Sequence, residues 1–167
     1  MQITLTVRGL KQAREVVENS PKILVKVKDR LSKRLAEEGL KIIRRHIINQ
    51  DLPWAPLSKE YLATKVNQRL SENTYEATGE FAKNIQIRKD SSRDVWRIGA
   101  FSDVPHKASG LSMHRLGMIL EYGCEEVGIP ARPLFRPSAV ELQRKIRGEQ
   151  GQIKNEILKE VMQSIQY

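Results

Sequence analysis

Ile129-Pro130-Ala131-Arg132-Pro133-Leu134-Phe135-Arg136-Pro137-Ser138, a few residues behind Glu121-Tyr122-Gly123, is the stretch on which the reading of this chain turns. Three of the seven prolines fall within these ten residues. Each fixes its own φ and pushes the preceding residue out of the helical region, so the segment reads as a stiff, extended strap and not as a helix. It carries Leu134 and Phe135 between Arg132 and Arg136, and a helical pattern begins behind Pro137. A preorganised segment loses little entropy on docking, which suits a contact with another protein. The strap holds no catalytic group.

On its C-terminal side, Leu142, Ile146, Ile153, Ile157, Val161 and Ile165 keep helical period, so a helix is expected over 138–166, weakened at Gly148 and Gly151. On its N-terminal side a short helix over 116–122 should end at Gly123. Further upstream, Ile85 and Ile87 alternate with polar residues, as do Trp96 and Ile98. A polar stretch over 90–94 joins the two runs, which predicts a β-hairpin. Ser20-Pro21 is a good helix start, and Leu24, Val27, Leu31, Leu35, Ile42 or Ile43, and Ile47 then trace one face, with Gly39 in the remaining slot. That helix would run roughly 40 Å. A short helical stretch over 10–18 precedes it, and Ile3, Leu5 and Val7 alternate with Thr4, Thr6 and Arg8 as in a half-buried strand. A second short helix is expected from Ser58 to about Leu70, and Thr78-Gly79-Glu80 can cap a helical turn. Residues 71–78 and 101–112 read as polar, mobile loops.

These elements make one α+β domain over 1–167: a small, mostly antiparallel curved sheet of about three strands, two long helices and extended loops. A sheet this small has edges that need covering, and pairing between subunits is one way to do it. The 167 residues suffice for a core without disulfides, and the lone Cys124 excludes an internal one. Neither a secretory leader nor a span of some 20 apolar residues is expected.

Candidate chemistry is thin. His106, His114, Glu121 and Cys124 are zinc-type residues, but no close pair anchors a site. Cys124 is followed by Glu125 and Glu126, which disfavour a thiolate. Glu37-Glu38 and Glu125-Glu126 read as solvated neighbours. Phosphate-loop, nucleophile-elbow and histidine–glutamate zinc motifs are missing. The chain therefore reads as a non-enzyme without cofactor or metal.

The formal charge is +9, and residues 22–45 hold nine basic residues against three acids. Lys26, Arg30, Lys33, Arg34, Lys41, Arg44 and Arg45 form either a solvated face balanced by acids elsewhere or an electrostatic contact for nucleic acid or an acidic partner. Trp54, in Pro53-Trp54-Ala55-Pro56-Leu57-Ser58, reads as a buried anchor or an interface residue.

In order, Trp54-Ala55-Pro56-Leu57-Ser58 with Tyr61 and Lys65, Thr78-Gly79-Glu80-Phe81, the hairpin, Leu120-Glu121-Tyr122-Gly123 and Pro130-Ala131-Arg132-Pro133-Leu134-Phe135-Arg136-Pro137 resemble the tail-completion, or head–tail joining, proteins of long-tailed bacteriophages. The Trp-x-Pro-Leu element is similar to the virion-morphogenesis proteins of Mu-like phages. Phe81 stands where leucine is usual, Leu134-Phe135 inverts the usual apolar order, and residues 101–112 look like an insertion. The resemblance implies a structural virion protein, made in the bacterial host cytoplasm and located in the tail or neck. Copies would form a ring, sixfold by expectation, at the head-proximal end of the tail. The implied partners are other copies, the tail tube protein and the head connector, with DNA met only in passing and no membrane. Contacts are expected at Trp54, Pro56, Leu57, Arg132, Pro133, Leu134, Phe135 and Arg136. The alternative expectation is a nucleic-acid-binding module acting through the basic helix.

Overall fold

The computed structural model describes residues 10–92 and 95–165. The frame is one helix, α1 (Leu10–Asn49), of 40 residues, or roughly 60 Å at 1.5 Å per residue. It runs through Ser20-Pro21, so that pair is helix interior and not a helix start. Proline's fixed φ matches helical backbone, but the ring removes one i→i−4 hydrogen bond and crowds the carbonyl four residues back, a cost the helix carries at this point. Val27, Ala36, Ile42, Ile43 and Ile47 are its buried apolar positions.

Helix α2 (Lys59–Asn67) starts where Ser58 caps it by accepting a hydrogen bond from the Tyr61 N–H at 3.2 Å. The single turn α3 (Glu80–Lys83) follows Gly79, whose φ of 68° is left-handed. Strands β1 (Gln86–Asp90) and β2 (Val95–Gly99) form an antiparallel hairpin in which Ile87 faces Ile98 and Lys89 faces Trp96. Helix α4 (Met113–Tyr122) is capped by Ser112 and ends at Gly123. A 3-10 turn (Glu125–Val127) follows. Helices α5 (Phe135–Gly148) and α6 (Gln150–Ile165) return antiparallel along α1.

Two long helical layers and a small antiparallel sheet make this an α+β fold. The single C-terminal helix expected over 138–166 is two helices parted at Glu149, and the first begins inside the strap. The sheet has two strands among the described residues. The strand expected around Ile3, Leu5 and Val7 lies outside them.

Trp96, on the sheet face turned to α1, donates from its indole Nε1 to Asp29 at 3.0 Å, and Lys89 reaches the same carboxylate at 2.6 Å. Gly39 explains how hairpin and α5 meet on α1. A Cβ there would lie 2.5 Å from Ile98 Cδ1 and 3.1 Å from Leu142 Cδ2. The core comprises Ile43, Ile47, Tyr75, Phe81, Ile85, Met113 and Leu134.

Residues 71–78 are anchored, against the expectation of a free polar loop. Tyr75 belongs to the core, Gln50 brackets Thr74 through its carbonyl and N–H, and Lys65 donates to the Asn73 carbonyl at 2.7 Å. The loop over 101–112 is closed by a bridge between Pro105 and Ser112 and by the Lys107 N–H on Glu80.

Carboxylates bind these parts together. Glu38 takes Lys145 of α5 at 2.6 Å, Glu141 takes Arg45 at 2.5 Å, and Asp103 takes Arg88 at 2.7 Å. Hydrogen bonds from Lys145, Arg45, Arg88 and Lys89 hold Glu38, Glu141, Asp103 and Asp29 below the usual carboxylate range, and His46 does so for Asp51. Depressed carboxyl groups contribute stability that is complete above their unfolded values and lost as pH falls through the folded ones. Acidification below about pH 4 should therefore lower the melting temperature. Scans at stepwise pH check this, and high salt should shrink the effect because the groups are exposed or only half-buried.

Candidate functional site

The strap is built inward. Arg132, Leu134 and Ser138 are buried, with Leu134 at 0% exposure. The buried Arg132 side chain donates from Nε to the Ala55 carbonyl at 2.8 Å and from a terminal nitrogen to the Pro56 carbonyl at 2.9 Å. Its backbone N–H reaches the Leu120 carbonyl at 2.7 Å, and its carbonyl accepts the Tyr75 hydroxyl. Trp54 Nε1 donates to the Pro133 carbonyl at 2.7 Å. The expectation that the strap displays Arg132 and Leu134 as contacts is therefore corrected for the single chain. Stiffness here serves to thread an extended backbone through the core, where every polar group must find a partner.

Glu121 explains how α5 starts in the middle of the strap. One oxygen accepts the Leu134 N–H at 2.7 Å and the Phe135 N–H at 2.9 Å; the other accepts the Arg136 N–H at 2.9 Å. A helix leaves its first four N–H groups without partners. Here a carboxylate from α4 takes three, and the next residue is Pro137, which has none to satisfy. The negative charge also sits at the positive end of the helix dipole. Glu121, weighed in the sequence as one of four zinc-type residues, is thus a remote helix cap. Among the described residues no three His, Cys, Asp or Glu side chains converge on a point that could hold a metal ion. His114 is exposed, and His106 hydrogen-bonds Ser109.

Gly123 lets α4 turn into the strap. Its φ of 80° with ψ of 176° is glycine territory, and a Cβ would lie 2.8 Å from the Ala131 nitrogen and 2.9 Å from the Ile129 oxygen. Trp54, Tyr75 and Phe81 form a row, with ring centroids 5.1 and 5.5 Å apart. Burial pushes the Tyr75 phenol up. Lys65, 2% exposed, is held below its normal range by burial, which the charges of Glu72 and Glu76 oppose. A lysine at helical spacing behind Tyr61 signals an exposed face by pattern alone, so its burial was not legible.

The remaining expected contacts divide. Pro56 and Arg136 are exposed, while Trp54, Leu57, Pro133 and Phe135 are half-buried. Phe135 and Arg136 line an open groove of about 650 Å³ between the outer edge of β2 and helix α4. Met118 and Tyr122, one helical turn apart on α4, line it too and are 47% and 58% exposed. The Arg136 guanidinium stands 5.4 Å from the centre of the Tyr122 ring.

Acids neutralise much of the basic helix face. Arg30 pairs with Glu160 at 3.0 Å, Arg34 with Glu156 at 2.5 Å, and Arg45 with Glu141 at 2.5 Å. Lys41 approaches Glu38, and Lys33 lies near Glu37 and over the Trp96 ring. Lys26 and Arg44 are exposed.

No family model matches this chain, and neither a curated protein nor a solved structure matches it.

Proposed function

We infer that this protein is a structural virion component of a tailed bacteriophage, whose copies assemble into a ring at the head-proximal end of the tail, as a tail-completion or head–tail joining protein. The observation that supports this reading is that the motifs carrying the resemblance meet in one node. Trp54 and Pro56 bond the strap, Glu121 caps the helix that leaves it, Gly123 shapes its entry, and Phe81 lies against Gly117 beneath it. Motifs far apart in sequence that specify one another's geometry support the resemblance better than unrelated short matches would. The edge of β2 left unpaired among the described residues and the apolar groove beside that node suit heterologous contacts between copies, the kind that close into rings.

Purified protein should form a closed oligomer as concentration rises and should bind tail tube protein. Phe135 packs against the core, so the informative variant spares it and combines Tyr122→Ala with Arg136→Glu. Sedimentation should show weakened assembly with an unchanged melting temperature. A chain that stays monomeric throughout and ignores tube protein would remove this reading. The nucleic-acid alternative has less support, because α5 and α6 supply acids to three arginines of α1. Strong, steeply salt-dependent duplex binding would restore it.

A further inference from the structure

We propose that the groove between β2 and α4 is a strand-docking site, and that its occupant is residues 1–9 of a second copy of this chain. The inference deepens the ring-assembly reading and rests on it.

The acceptor is an unpaired sheet edge beside an apolar wall. Strand β2 pairs with β1 on one side, and its backbone makes no other hydrogen bond to backbone among the described residues. Its outer edge, from Arg97 to Gly99, lines the groove. Facing that edge are Met118 and Tyr122, both exposed, with Phe101 and Phe135 half-buried. An added strand would complete the backbone ladder and cover the apolar side chains together. That is the general mode of β-augmentation, in which the main chain supplies affinity and alternate side chains fill pockets.

The donor is in the sequence. Ile3, Leu5 and Val7 alternate with Thr4, Thr6 and Arg8, which gives a strand one apolar face for the wall and one polar face for solvent. A stretch of five such residues is about 17 Å long, the length of β2.

Reach decides between the chain's own segment and a neighbour's. The sheet lies beside residues 29–39 of α1, since Trp96 bonds Asp29 and Ile98 abuts Gly39. Helix α1 begins at Leu10, so its start stands roughly 28 Å from the level of Asp29 and roughly 44 Å from that of Gly39 at 1.5 Å per residue. Nine extended residues cover about 30 Å. A chain's own residues 1–9 can bring their tip to the near end of β2 but cannot lie along it. The first turns of α1 extend past the described end of α6: Arg30 pairs with Glu160, so Ile165 lies near the level of residue 25. A neighbour's groove is then the accessible one. The contact is head-to-tail, which gives each copy one donor and one acceptor and permits ring closure.

The test uses two variants in a Cys124→Ser background, one with Leu5→Cys and one with Met118→Cys. When they are mixed and oxidised, a disulfide joining the two variants is expected. In a chain carrying both substitutions, the bond should form between chains and not within one. A chain lacking residues 1–8 should need roughly tenfold or more protein to assemble, with its melting temperature unchanged. The pair Leu5→Glu with Val7→Glu, which keeps the length and spoils the apolar face, should do the same. An intrachain disulfide in the monomer, or undiminished assembly after the deletion, would overturn the proposal and leave ring assembly standing. A full chain that never assembles would remove both.

Discussion

Glu121→Ala should cost about 4 kcal/mol of stability, among the largest losses available to a single side chain outside the apolar core. The carboxylate accepts three backbone N–H groups, from Leu134, Phe135 and Arg136, and is itself buried. Hydrogen bonds to a charged group contribute roughly 1.5–3 kcal/mol each, and buried donors left without partners carry a desolvation penalty. The three are not additive, because water can enter once the side chain is gone. Glu121→Gln distinguishes the charge from the acceptors. Its single carbonyl oxygen can keep the two bonds to Leu134 and Phe135, but its amide then faces the Arg136 N–H donor to donor. About half the loss should remain. Urea unfolding with an unchanged m value measures both. A loss below about 1 kcal/mol for the alanine variant would mean that α5 holds its start without this cap.

Gly123→Ala should destabilise the fold comparably, by roughly 3–5 kcal/mol, although it adds one methyl group. Two costs combine. The backbone at φ 80° and ψ 176° excludes side chains, and the new Cβ would lie within 3 Å of main-chain atoms of Ile129 and Ala131. Those atoms cannot swing aside as a side-chain terminus can, because Cys124 and Ile129 exchange hydrogen bonds at 2.8 and 2.9 Å and Arg132 is bonded to Leu120. Relief requires moving the strap, and with it the buried Leu134. The contrast is Gly39→Ala. Its contacts are the ends of Ile98 and Leu142, and an added methyl raises helix propensity by about 1 kcal/mol, so the two terms oppose each other. Thermal melts of the two glycine variants side by side should separate a backbone clash from a side-chain one.

The two residues belong to one motif, Leu120-Glu121-Tyr122-Gly123, and divide its work. Glu121 faces the core and caps α5, Gly123 turns the chain, and Tyr122 between them faces outward into the groove. Structural and surface roles alternate at single-residue spacing. The experiments on assembly therefore change Tyr122, Arg136 and Met118, while those on stability change Glu121 and Gly123.

Legibility followed the range of the interaction. The hairpin, a helix starting at Ser58, the end of α4 at Gly123 and the apolar face of α1 from Val27 onward were readable, because alternation and helical period are local properties, whereas Leu24, expected on that face, is exposed. The helix through Pro21 was not, because proline is favoured at a helix start and disfavoured in a helix interior, so the local signal pointed the wrong way. Residues 71–78 look polar by composition, and the one side chain that anchors them in the core, Tyr75, carries no periodic signal. The pairing of basic α1 with acidic positions of α5 and α6 was open as one of two readings, and only the packing of the helices chose which arginines are matched.

By itself the sequence determined that this is an α+β chain with a proline-locked stretch that leads into a C-terminal helical region, since φ restriction and side-chain period act within a few residues, although the helix starts at Phe135, inside the stretch read as extended. Tertiary structure decided which way the strap faces. Its extended backbone and the first turn of α5 leave N–H and C=O groups that need partners, and those partners come from positions 54, 75, 120 and 121, while the buried Arg132 guanidinium is satisfied by the carbonyls of 55 and 56. Satisfying buried backbone polarity is a long-range condition, and it turned a segment that reads as an outward contact into the inner tie of the fold.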